Sequence, residues 1–188
     1  MPLNFPVLYK SMDIRAESVI AQAIQSAISD AEQLWTPEKF DGPFATKGFG
    51  IRKMTAADFS KNGTAGWTGW LSTMWGVSIA QASTWSEWIS AGVTLSDSCY
   101  FVICGFFNYD ATPDIEAIKV TADGIEYPVT DLSEMNGWDI ATAWSSHPIV
   151  VRPEKGIRVQ LKARTAGQKH FGLLGYTIGK RSYLITAL

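Results

Sequence analysis

The sequence predicts a mainly β protein: an antiparallel β-sandwich preceded by an extended arm and one amphipathic helix. Three observations carry this. Apolar and polar residues alternate from Ile157 to Arg164, the period of a half-buried strand. Asp123-Gly124 separates two short alternating runs, and this pair is the preferred one for a two-residue type I′ hairpin turn. A helical period stands apart from both, between residues 12 and 35.

At 188 residues the chain fits one domain of ordinary size. Residues 1–40 read as an arm and helix, and residues 41–188 as the sandwich. In the arm, MPLNFPVLYK, Pro2 and Pro6 favour extended backbone, which places Leu3, Phe5, Val7 and Tyr9 on one face. Such an apolar arm lies on its own domain or on a neighbour's. Ser11 is the expected helix cap, with Asp13 and Glu17 near the positive end of the dipole. Ile20, Ile24, Ala27, Ile28, Ala31, Leu34 and Trp35 recur at steps of three and four as one apolar stripe, and Thr36-Pro37 ends the helix. The stripe packs across its own β domain or serves as an assembly face. On the second reading the candidate assembly contacts are Leu3, Phe5, Val7, Ile20, Ile24, Ile28, Leu34 and Trp35.

Residues 41–66 are rich in turn signals, Asp41-Gly42-Pro43, Asn62-Gly63 and Gly66 among them, with one strand expected from Thr46 to Met54. This stretch reads as a hinge. From Trp67 to Ala80 and from Trp85 to Leu95, aromatic and β-branched residues predict strands. Tyr100–Tyr109 (YFVICGFFNY) is almost continuously apolar and reads as a central strand buried on both faces. The Asp123-Gly124 turn sets a register with Ala122 opposite Ile125, Val120 opposite Tyr127 and Ile118 opposite Val129, all six on one face. Pro128 assigns the second strand to an edge. Residues 131–148 read as irregular, with a short helical turn. Ile157–Arg164 and Phe171–Ile178 are the late strands, and 183–188 (YLITAL) a final strand or a tail pairing with a neighbour. About eight strands with turns between them fit a jelly roll or a related sandwich.

Charged residues make up 18% of the chain, against about 25% in an average globular protein. The deficit points to a large core or to surface covered by partners. The net charge of −2 supplies no field for nucleic acid, and residues 1–34 carry only Lys10 and Arg15 as cations, so no direct or sequence-specific nucleic-acid binding is expected. No export signal or membrane span is read from the sequence. Cys99 and Cys104 sit five steps apart on one strand, roughly 16 Å and on opposite faces, which predicts two buried, reduced thiols. Asn62-Gly63-Thr64 reads as a chance sequon in a loop.

For chemistry the sequence offers little. His147 and His170 lack partners at metal-ligand spacing, and Gly48-Phe49-Gly50 lacks the rest of a dinucleotide fingerprint. Asp110, Asp114 and Glu116, then Asp131, Glu134 and Asp139, cluster around loops, as in most β domains. The expectation is no catalysis, no metal and no cofactor. Tryptophan is the anomaly: five of eight fall within residues 67–88. Trp67, Trp70, Trp75, Trp85 and Trp88 are either core and interface residues or a platform for stacking sugar rings.

An arm and helix before a β-sandwich, a buried Tyr100–Tyr109 strand, an Asp123-Gly124 hairpin and two late strands together resemble the single jelly-roll capsid proteins of icosahedral, tailless DNA viruses. The resemblance is one of architecture, spans residues 67–185 and departs from arm-driven RNA-packaging members in lacking a basic arm. It implies a structural virion protein, made in the host cytoplasm, that assembles with copies of itself and other capsid proteins. An internal membrane or nucleoprotein would then lie at its inner face. A carbohydrate-binding module, and a decoration or receptor-binding protein on the same fold, are the alternatives.

Overall fold

The computed structural model describes residues 8–9, 14–35, 48–62, 75–110, 113–133, 135 and 142–186. Leu3, Phe5, Val7, Trp67 and Trp70 lie outside the described residues. In chain order the elements are β1 (Leu8–Tyr9), α1 (Ile14–Leu34), β2 (Phe49–Lys53), α2 (Ala56–Asn62), β3 (Val77–Ile79), β4 (Trp85–Thr94), β5 (Cys99–Asn108) and β6 (Ile115–Ala122). They continue with β7 (Ile125–Glu126), β8 (Thr130–Asp131), β9 (Thr142–Val151), β10 (Gly156–Ala163), β11 (Gly167–Lys169), β12 (Phe171–Lys180) and α3 (Arg181–Thr186). The protein is mainly β, with antiparallel sheets and an N-terminal helix.

Sheet 1 has the order β1-β9-β5-β12-β2; sheet 2 has the order β4-β10-β6-β7, with β8 also on β6; β11 and β3 form a separate pair. The local patterns account for the central strands. β5 has all ten residues buried between β9 and β12. Phe101 and Ile103 face the core between the sheets, while Tyr100, Val102 and Cys104 face α1. Cys99 and Cys104 are both buried free thiols and join different clusters, as the odd spacing requires. On β10, Ile157, Val159, Leu161 and Ala163 are buried, and Val159 and Leu161 pair with Val120 and Ile118 of β6. Its polar residues turn outward, where Arg158 and Gln160 bond Glu87, and Lys162 and Arg164 pair with Glu116.

The hairpin turn is formed as the dipeptide dictates: Asp123 and Gly124 have φ of 54° and 77°, and Ala122 pairs with Ile125. The predicted register holds as far as Tyr127, whose N–H bonds the Val120 carbonyl at 2.9 Å, and beyond it slips by one residue. Ile118 pairs with Thr130 instead of Val129, because one extra residue is accommodated at Pro128–Val129, where Pro128 has no N–H to donate. Val129 is consequently exposed, and Ile125, although in its predicted register opposite Ala122, is exposed beside the turn at the sheet edge. The strand does lie at the sheet edge, split into β7 and β8.

α1 lies on the outer face of sheet 1 and makes a third layer. Ile20, Ala27, Ala31 and Trp35 are buried with Tyr100, Val102, Cys104 and Ile178. The alanines let the helix approach the sheet closely. Trp35 donates its indole N–H to the Asp97 carbonyl at 3.0 Å and sets its ring edge-on to Tyr100. Leu34, placed in the stripe by spacing, points to solvent.

Three further elements depart from the sequence reading. Residues 142–151 form strand β9, not irregular chain. The expected hinge contains α2, started by Thr55 and Asp58: the Thr55 N–H bonds the Asp58 carboxylate at 2.9 Å. Residues 181–186 form α3 and not a strand, since Tyr183 and Leu184 pack toward Gly50 and Gly179. A Cβ on Gly179 would come within 3.2 Å of both side chains. Phe59 of α2 closes one side of the core, 4.7 Å from the Phe101 ring.

Candidate functional site

Of the five tryptophans singled out, the structure describes Trp75, Trp85 and Trp88, and Trp85 lies apart from the other two. Trp88 is fully buried, donates its N–H to the Gly76 carbonyl at 3.0 Å and lies edge-on to Phe171. Trp75 packs beside it, 6.0 Å between ring centroids. Trp85 alone of the described three is exposed, at 38%, on the outer side of sheet 2, and the Lys119 ammonium sits 5.4 Å from its ring centroid. Of the helix residues singled out for assembly, Ile20 and Trp35 are buried against the chain's own sheet, Ile24 and Ile28 are half-buried against it, and Leu34 is exposed.

The loop carboxylates hold structure. Asp110 accepts the His170 backbone N–H at 3.0 Å and lies 2.8 Å from its Nδ1. Asp114 accepts the Lys169 ammonium at 2.8 Å and the Thr165 hydroxyl. Asp131 accepts the Ser133 N–H at 2.8 Å, and that bond holds its carboxyl below the usual range. Glu116 pairs on the sheet 2 surface, while Glu134 and Asp139 lie outside the described residues. Among the described residues no three His, Cys, Asp or Glu side chains group as metal ligands.

Among the described residues a cleft of about 280 Å3 opens at the β9 edge of the sandwich. It arises from an irregularity in β9. Ile149 pairs with Ile103 and Trp144 with Gly105, so the four residues Ser145–Pro148 stand against the single residue Cys104. The excursion is held from within: the Ser145 hydroxyl accepts the His147 N–H at 3.1 Å and donates to the His147 carbonyl at 3.3 Å. Val19 of α1, Ile103 and Phe106 of β5, Val120 of β6, Pro128 and Ile149 supply apolar wall. Tyr127, Thr130, Ser145, Ser146 and His147 supply its polar members, and among the described residues no Asp, Glu, Lys or Arg lines it. His147 is exposed and therefore marks the mouth. Burial pushes the Tyr127 phenol up, with the Asp123 charge adding to the effect. Sequence reading missed the cleft because its walls come from five separated stretches. The one local signal was the break in alternation at Ser145-Ser146-His147-Pro148.

No family model matches the chain, and neither a curated protein nor a solved structure matches it.

Proposed function

We propose that the sandwich is a jelly roll and that the chain is a structural virion protein, a self-assembling capsid subunit. The observation that carries this is the pairing order. Take β2, β4, β5, β6, β7, β9, β10 and β12 as eight strands in sequence. The first then pairs with the eighth, the second with the seventh, the third with the sixth and the fourth with the fifth. That is one long antiparallel ribbon with the Asp123-Gly124 turn at its tip. Rolling the ribbon up adds the eighth-to-third and seventh-to-fourth pairs, which is the double-sheet wrap shared by capsid and lectin domains. Since a fold does not by itself name a function, the assembly reading leans on two further features: the low charge, and the exposed Ile51 on β2, whose pairing among the described strands is to β12. In this reading the subunit meets copies of itself and other capsid proteins, with an internal membrane or nucleoprotein at the inner face of the shell.

Light scattering and negative-stain microscopy over a concentration series test the proposal. Regular oligomers or closed shells are expected, weakened by Ile51→Glu without loss of fold. A strict monomer at every concentration overturns it. The rival carbohydrate-binding reading rests on the exposed Trp85. Glycan-array binding that disappears in Trp85→Ala would favour that reading.

A further inference from the structure

We propose that the cleft beside the β9 excursion is a binding site for an uncharged small molecule with a compact apolar body and one hydroxyl end. This does not depend on the shell reading. Three features point to it. First, the backbone departs from regular pairing at this place, with four residues against one, and its own hydrogen bonds hold the departure open. Bulges of this kind re-aim side chains beside binding sites. Second, the lining is an apolar wall with a few polar groups: Ile103, Phe106, Val120 and Ile149 form the wall, buried Thr130 and Ser145 add hydroxyls, and the exposed His147 stands at the mouth. Pockets that orient small ligands have this composition. Third, among the described residues no Asp, Glu, Lys or Arg side chain lines the cleft. A carboxylate or ammonium drawn into it would lose hydration without gaining a counter-charge from these residues, so a neutral ligand is favoured.

Size narrows the class. An apolar cavity of roughly 150 Å3 accepts benzene, so this one takes a body of about ten non-hydrogen atoms. A short alkyl chain on a ring, ending in a hydroxyl, satisfies all three features.

The test uses the full chain and 4-propylphenol as the probe, followed in methyl-resolved NMR spectra. Saturable shifts of the Ile103, Val120 and Ile149 methyls, with contacts from the probe's propyl group to them, are expected at a Kd on the order of 0.1–1 mM. The carboxylate analogue 4-propylbenzoate should bind at least about tenfold more weakly. Ser146→Trp, a change at the mouth, should abolish the shifts while leaving the remaining spectrum in place. If that variant misfolds, Val120→Phe fills the cleft from within, and the methyl contacts in the unmodified chain stand without either variant. The proposal is overturned by shifts that do not saturate or centre elsewhere, or by equal binding of the benzoate. It is also overturned by contacts, in the ligand-free chain, from Phe5 or a second copy to these methyls, which would make the arm or a neighbour the occupant.

Discussion

Thr177 donates its hydroxyl to the Asp58 carboxylate at 3.0 Å across 119 residues of chain, with both residues fully buried. The same carboxylate accepts Arg52 at both oxygens, at 2.9 and 2.6 Å, and the Thr55 N–H at 2.9 Å. One side chain thus caps α2 and ties it to β2 and β12. Replacing it with asparagine leaves the Arg52 guanidinium without its counter-charge. Asp58→Asn should lower unfolding stability by about 3 kcal/mol in urea titrations. Thr177→Val, which removes one donor to the carboxylate, should cost about 1.5–2 kcal/mol. Equal stability of Asp58→Asn and the unmodified protein would show the carboxylate to be dispensable.

Glycine is required at two points where strands of sheet 1 approach closely. A Cβ on Gly105 would lie 2.2 Å from the Ala143 carbonyl oxygen, and one on Gly175 would lie 2.1 Å from that of Val102. Each sits at a register shift between neighbouring strands. Gly105→Ala and Gly175→Ala should each destabilise by about 2–3 kcal/mol, because backbone must move. Gly156→Ala is the control. Its nearest atom would be 3.7 Å away, and its effect should stay within about 1 kcal/mol of zero.

Burial pushes the Cys104 thiol up to about 12, so at pH 8 it remains protonated and unreactive in the folded chain. Labelling with a thiol reagent at pH 8 should proceed only as fast as the domain opens. It should become rapid above the urea midpoint. Fast labelling of Cys104 in the native protein would contradict its burial beneath α1.

Asp97 has its pKa lowered by the Ser98 hydroxyl and then by Lys180. A lowered folded-state value means the contribution is present above the unfolded value of about 3.9 and is lost as pH falls through the folded one. The group is exposed, so its contribution is about 0.5 kcal/mol or less. The small Tm difference between Asp97→Asn and the unmodified chain should exist at pH 6 and vanish toward pH 3. A difference that persists at pH 3 would assign the effect to something other than the charge.

Elements whose cause is local were legible in the sequence. β5, β10 and the Asp123-Gly124 turn follow from apolar runs, alternation and turn chemistry over fewer than about a dozen residues. β9 was not, because Ser145–Pro148 interrupts its alternation. α2 carried a readable signal in Thr55 and Asp58, three residues apart, but it was hidden among glycine and asparagine turn signals. α3 looked like a strand because Tyr, Ile and Thr favour strands. The space beside Gly50 and Gly179, set by distant pairing, decides otherwise. Spacing left the tryptophans as core or platform; strand parity decides two of them, sending Trp85 outward and Trp88 inward.

The pairing of β2 with β12 constrains the order in which the molecule can be completed. The two strands are separated by about 120 residues. At synthesis rates of about 5–20 residues per second, β2 waits roughly 6–24 s for its partner to be made. The Asp123-Gly124 hairpin needs no such wait and can close within microseconds of leaving the ribosome. Assembly of the sandwich therefore runs from the middle of the chain outward, and its first strand is among the last to be secured.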